Sequence, residues 1–484
     1  MTGQRLAGAS PRRGEGSLPD IVLVVFDTAR RDRFGCYGYG SPTTPVTDSL
    51  ARSGRVVDTM LTNAPWTLPS HASLFTGLYP SQHGAQWQTG RQLAGSVRVT
   101  LAEFLRDAGY ETICATSNGL ISEGTGLARG FDDYVHRSDL EHGWKRKTRQ
   151  FQKVAMGGDA GGPAINKWLR RRLGSARKPM FLFVNYLECH WPYSPPRRLS
   201  RTVGGARFGP ADELRFRLSL AHRIGPWDAI GTADVETLAV YSSLYDAEHR
   251  NVDGLLDELL DVLEGSGHLR DGETIVLVTS DHGDHVGEHG LADHQASLDD
   301  HLTNVPFIAW GPGIVPQGRA PSIYEFVDVL PSVAAILGLD PPEEIGTSRR
   351  TGLLGATETK QDRFAFAEWR AWAPDDLARV SARHPRYDFG PLVRDLVSVR
   401  DERVKLVERG DGTRALFDLV DDPHEERDAA DARPDDVARL SAALEREVAS
   451  WPHARGTAGD DPERSLTGQQ EDEIERHLAD LGYL

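Results

Sequence analysis

The strongest constraint on this chain is a set of short, almost unbroken apolar runs. They are IVLVVF (Ile21–Phe26), ETICATS (Glu111–Ser117), MFLFVNYLE (Met180–Glu188) and TIVLVTS (Thr274–Ser280). A strand with one wet face alternates apolar and polar residues. A run apolar throughout needs cover on both faces, as parallel strands under helices have. Helical periodicity lies between the runs, in VTLAEFLRDAG (Val99–Gly109) and FVDVLPSVAAILGL (Phe326–Leu339). The longest helical pattern is Thr237–Leu263, where Leu244, Val252, Leu255, Leu256, Leu259 and Leu263 share one face. This alternation predicts an α/β fold, a large mostly parallel sheet sandwiched by helices.

The pattern changes near residue 360. Leu396–Val420 reads as short strands with turns at Asp401-Glu402 and Gly410-Asp411-Gly412, followed by a helix at Asp435–Ser450. The division expected is a flexible arm over 1–18, a catalytic α/β domain over 19–359 and an α+β subdomain over 360–454. Residues 455–484 complete it as a linker and a terminal helix. His142–Gly174, Arg197–Asp234 and Trp369–Pro391 are poorly patterned and read as loops that set specificity.

Composition excludes several functions. Of 484 residues, 55 are basic and 71 acidic, a net charge of −16. That opposes non-specific binding to nucleic acid or an anionic membrane, which needs a positive field. Cys36, Cys114 and Cys189 lie far apart without a CxxC pattern, which opposes a disulfide framework or zinc-thiolate site. No apolar run fits a signal peptide or a bilayer span. The expectation is a cytoplasmic protein that takes a small anionic substrate. Its oligomeric state is open, homo-oligomers included.

Ligands of open α/β sheets bind beyond the carboxyl ends of the strands. Asp27 follows the first run, Asn118 the second, His190 the third, and Asp281 and His282 the fourth. Asp27, Asp281 and His282 suit a divalent cation, although a lone Asp after a strand also serves as a helix cap. In TLPSHASLF, Pro69 fits a first helical turn and places Thr67 just before it. Thr67 there either caps the helix or meets an anion at its positive end. The run SDHGDHVGEHGLADH holds four histidines among glycines that disfavour a helix, and His282 and His294 are the candidates taken from it. A second ion would need further ligands, for which Asp246 and His249 on the long helix are candidates with His294 and His190, unless the helix pair is simply a solvated face.

These residues resemble the sulfatases of the alkaline phosphatase superfamily, from about Pro19 to Leu484. FDTARRDRFGCYGYG is similar to the family's opening, TLPSHASLFTG to its signature, HWPY to its substrate-binding His-x-Pro-Tyr, and SDHGDHVGEHG to its metal-binding stretch. LFDLVDDPHEERD and the closing ADLGYL resemble the family's C-terminal part. The resemblance implies an alkaline phosphatase-like catalytic domain and ester hydrolysis at a metal.

The departures direct the chemistry. The family oxidises a Cys or Ser of the signature to formylglycine, but this chain has Thr67, which cannot form that aldehyde. The signature arginine is His71, and a second acid beside Asp27 is replaced by Thr28. The resemblance then implies a site like those of Thr-dependent phosphodiesterases and phosphotransferases. Asp27, Thr67, Asp281 and His282 would hold one divalent ion, with manganese, zinc or magnesium favoured over calcium. Thr67 would form a phosphothreonine, His190 or His294 would protonate the leaving oxygen, and Asn118 would donate to a non-bridging oxygen. The alternatives are a sulfatase without formylglycine, a transferase to a soluble acceptor, and an inactive binding protein of the same fold.

Overall fold

The computed structural model describes residues 18–451 apart from 87–90, 141–159, 201, 204–234, 270–272, 295, 346–350, 356–362, 373, 384–388 and 450. Most of the N-terminal arm, much of the His142–Gly174 and Arg197–Asp234 loops, Tyr387 and the terminal helix therefore lie outside the described residues.

In chain order the strands are β1 (Asp20–Phe26), β2 (Arg55–Leu61), β3 (Glu111–Thr116), β4 (Asp133–His136), β5 (Met180–Tyr186) and β6 (Thr274–Thr279). They continue as β7 (His285–Val286), β8 (Ala292–Asp293), β9 (Asn304–Val305), β10 (Phe307–Trp310) and β11 (Gly318–Glu325). The last four are β12 (Ala365–Trp369), β13 (Leu396–Arg400), β14 (Val404–Arg409) and β15 (Arg414–Asp418). The main sheet has the order β11-β2-β10-β6-β1-β5-β3-β4, with β9 paired to β2. β6, β1, β5, β3 and β4 form one parallel block, and β10 runs against it. All four apolar runs are adjacent strands of that block. Every residue of β1, β3, β5 and β6 is buried, as their composition requires.

The helices lie where the periodicity places them. Thr100 opens Leu101–Asp107 with a capping box closed by Glu103, which satisfies two otherwise orphaned amides. The long helix spans Val235–Ser266 and buries Leu244, Val252, Leu256 and Leu259 in the core. Among the described residues no helix is long and apolar enough to cross a membrane.

A separate antiparallel sheet, β12-β13-β14-β15, carries its own core of Phe366, Val399, Val404, Leu406 and Leu416, covered by the helix Pro434–Val448. One buried charge network joins it to the main layer. Lys405 on β14 donates to the Leu298 carbonyl (2.9 Å), Asp300 Oδ1 (3.1 Å) and Glu425 Oε1 (2.7 Å).

Candidate active site

The parallel block decides where the site forms. β6, β1, β5 and β3 are neighbours in register, so the residues after them share one edge. Asp27, Asn118, His190, Asp281 and His282 meet there, all buried. Thr67 reaches them from the helix Thr67–Thr76. That helix starts at Thr67 itself, with Trp66 as its cap residue, rather than one residue later. The Thr67 hydroxyl does not cap. It lies 3.3 Å from Asn118 Nδ2 and 3.4 Å from His282 Nε2.

Each donor is held by a second contact. Asp281 Oδ1 accepts from the backbone amides of Thr28 and His282, both at 3.0 Å, which leaves Oδ2 facing the cluster. Thr28 adopts a left-handed backbone (φ 60°) to make that bond. His282 Nδ1 sits 2.9 Å from the Gly283 carbonyl. A carbonyl only accepts, so Nδ1 carries the proton and Nε2 presents its lone pair to the site. Asp27 Oδ2 accepts from Asn118 Nδ2 (2.8 Å) and Asn185 Nδ2 (3.1 Å).

These residues fit a divalent ion. Asp27 Oδ1 and Asp281 Oδ2 are buried and have no hydrogen-bond partner, an arrangement costly unless a cation meets them. Donors about 2.0–2.2 Å from one ion stand roughly 3–3.5 Å apart. Asp281 Oδ2 and His282 Nε2 are separated by 3.3 Å. Burial pushes the Asp27 carboxyl up to about 7, with Asp281 adding to the shift and His282 opposing it. Burial alone would raise Asp281 too, but His282 and His71 beside it hold its carboxyl well below the usual range.

A second buried group, Asp284, Asp293 and His294, adjoins the first. The His294 and His282 rings are 4.2 Å apart between centroids, and His190 lies 5.4 Å from His294. His294 Nδ1 is 2.7 Å from Asp293 Oδ1 and 3.8 Å from Asp284 Oδ1. Burial works against a charged His294, yet the two carboxylates carry it up to about 10. Burial, then His294, drives His190 down to about 3. The two imidazoles therefore differ in protonation at neutral pH.

Two contributors, Asn185 and Asp293, escape sequence reasoning, and for a third, His71, the sequence gives a place in the signature but no role. Asn185 is a polar residue inside an apolar strand, and that interruption is its only signal. His71 stands one helical turn after Thr67, so the two share a face. Its Nδ1 lies 2.9 Å from the Thr67 carbonyl and 3.6 Å from Asp281 Oδ2. Asp293 sits in a glycine-rich loop without periodicity and takes a left-handed backbone (φ 69°).

Other candidates are engaged elsewhere. Asp246 binds Arg33 and Tyr39, and His249 accepts from the Arg30 amide, so neither joins the cluster. His285 and His289 lie 3.3 and 3.5 Å from Asp299. Arg30 is buried and paired with Asp32 and Glu288. Tyr193 of HWPY packs on Tyr241 and Tyr245 and donates to Asp284. Trp369 and Trp372 are core residues.

Fold and site together define an α/β protein with a buried carboxylate–imidazole cluster at the carboxyl edge of a parallel sheet. A solved phosphonate monoester hydrolase of Agrobacterium radiobacter has the same fold, with a TM-score of 0.68 at 20% identity over 93% of this chain and 98% of that one. The sequence model named Sulfatase matches residues 19–339, and the chain belongs to that family. It is similar to the uncharacterized sulfatase YidJ of Escherichia coli K12, 25% identical over 75% of this chain and 78% of that protein. It is also similar to a Δ4,5-hexuronate-2-O-sulfatase of Bacteroides thetaiotaomicron, 23% identical over 88% of this chain and 87% of that protein. The chain is accordingly an ester-cleaving hydrolase of the family.

Proposed function

We propose that the enzyme hydrolyses phosphate or phosphonate esters through a covalent phosphothreonine on Thr67. One observation carries this reading. A threonine hydroxyl, not a cysteine or serine, stands at the head of the buried helix between Asn118 and His282. A divalent ion held by Asp27, Thr67, Asp281 and His282 would lower the hydroxyl pKa and offset charge on the transferring group. Manganese, zinc or magnesium suits this mixed carboxylate–imidazole set, whereas calcium prefers a fuller oxygen shell.

Thr67 Oγ, its proton lost to water on ionisation, attacks phosphorus as the bond to the leaving oxygen breaks, and it departs again as the same alkoxide when the phosphothreonine opens. Asn118 donates to a non-bridging oxygen, and the helix N-terminus favours the anion. His294, seated between Asp293 and Asp284, gives its proton to the leaving oxygen. His190 plays the opposite part. Its Nδ1 is 2.6 Å from the Trp191 carbonyl and so holds a proton, which leaves Nε2 as the acceptor. It accepts a hydrogen bond from the water that opens the phosphothreonine, while His294, left neutral by the first step, takes that water's proton and is restored.

Sulfate-ester cleavage is the second reading, favoured by the sulfatases among the relatives. The test compares p-nitrophenyl phosphate, bis-p-nitrophenyl phosphate, p-nitrophenyl phenylphosphonate and p-nitrophenyl sulfate with manganese or zinc. Turnover of the phosphorus esters is expected to exceed that of the sulfate. Turnover of the sulfate alone would overturn the proposal.

A further inference from the structure

A cavity of about 380 Å³ lies between the loop that follows His294 and the C-terminal sheet. That volume falls within the range of small-ligand sites. One wall is Ala296–Asp299 and the opposite wall includes Arg394, Leu396, Val407, Arg409 and Phe417. The wall is joined to the reaction centre by the chain itself. Ala296 follows His294 by two residues, so their Cα atoms are separated by at most about 7–8 Å. Asp299, at the other end of the wall, holds His285, three residues after His282.

The lining has two chemistries. Leu298, Leu396, Val407 and Phe417 form an apolar surface for a ring or an alkyl group. Arg394 and Arg409 stand beside it, and neither has an acidic partner within ion-pair distance among the described residues. Among the described residues the nearby acids are engaged elsewhere. Asp299 is turned to His285 and His289, and Asp411, on an exposed turn, feels both arginines only through space. Arg394 is exposed and Arg409 half-buried, and together they set two positive charges on one cavity of a chain whose net charge is −16.

We propose that this cavity holds the leaving group of the substrate, and that the leaving group is an organic anion: an apolar body on Leu396, Val407 and Phe417 with a carboxylate or similar group on Arg394 and Arg409. The inference rests on the proposed reaction, because it sets the leaving oxygen beside His294. The substrate then carries a negative charge at each end, one neutralised at the ion site and one in this cavity. Arg394 and Arg409 are specificity residues and take no part in bond breaking.

The test measures binding of 4-hydroxybenzoate, the product of a carboxylated aryl ester, to the full manganese-loaded chain by calorimetry. One equivalent is expected to bind, with phenol binding far more weakly. Arg394→Gln and Arg409→Gln should each weaken 4-hydroxybenzoate about 5–10-fold, as loss of a charge-assisted bond does. Thr67→Ala should leave it unchanged. A second arm compares hydrolysis of p-nitrophenyl phenylphosphonate with that of the corresponding 4-carboxyphenyl ester. Both arginine variants should raise KM for the carboxylated ester alone. Absence of 4-hydroxybenzoate binding, or equal binding in both variants, overturns the proposal. If benzoate added in trans accelerates hydrolysis of the ester without a carboxylate and KM is unaffected, the cavity is an effector site and the leaving-group assignment is wrong. Failure of the Thr67 chemistry would show as turnover retained in Thr67→Ala with anion binding intact, so the two proposals fail separately.

Discussion

Asn118 offers a sharp test of how the site works. Its Nδ2 is shared between Asp27 Oδ2 at 2.8 Å and Thr67 Oγ at 3.3 Å, and its Oδ1 accepts from the Leu120 amide at 3.0 Å. The side chain is therefore fixed by its own turn and aimed at the reacting atoms. Asn118→Ala removes a donor to the charge that develops in the transition state. Loss of one such donor costs about 10²–10³ in kcat, or roughly 2.7–4 kcal/mol. The ground state changes less, because Asp27 Oδ2 keeps its bond from Asn185. KM should thus stay within about threefold, since the lost interaction is made mainly in the transition state. Asn118→Asp should be worse than Ala, because it sets a third carboxylate against Asp27 and Asp281. Steady-state kinetics with p-nitrophenyl phenylphosphonate at saturating manganese reads both variants. A kcat for Asn118→Ala within fivefold of the parent would refute the donor role.

Further outcomes follow from the same geometry. Asp281→Asn should abolish tight manganese or zinc binding, measured by metal analysis after gel filtration, because it removes a carboxylate aimed at the ion site. Lys405→Met should destabilise the chain by about 3–5 kcal/mol in urea unfolding, since Glu425 loses its buried partner and Asp300 keeps only Arg400 as an ion-pair partner among the described residues. Burial pushes the Asp253 carboxyl up to about 6, against the amides of Val46 and Thr47 that hold it. The fold therefore favours its protonated form, and this contribution to stability is present below about pH 4 and lost as pH rises to about 6. Asp253→Asn should gain up to about 3 kcal/mol relative to the parent between pH 4 and pH 7, at 1.36 kcal/mol per pH unit. A difference independent of pH would contradict that assignment.

Much of this site is legible in the sequence because the sheet is parallel. Asp27, Asn118, Asp281 and His282 each come just after a buried strand, and parallel strands deliver such residues to one edge. Other residues are hidden for physical reasons. β10 (FIAW) and β12 (AFAEW) are too short for periodicity to separate a strand from a loop. β2 carries Asp58 and Thr59 amid its apolar residues. Lys405 alternates with Val404 and Leu406, so the two-residue period assigns it to solvent, yet the loop at Leu298–Asp300 covers it. The clamp on His294 comes from Asp284 and Asp293, nine residues apart in a loop where spacing carries no geometric meaning. Local pattern reports strand ends well and tertiary cover poorly.

The most direct test of the account is to find where the transferred group rests. The metal-loaded enzyme is quenched in acid during turnover of p-nitrophenyl phenylphosphonate, digested and examined by mass spectrometry. The account predicts a phosphonyl adduct on Thr67 that is absent from Thr67→Ala, which should also lack turnover. Turnover retained in Thr67→Ala, or an adduct on another residue, would contradict it.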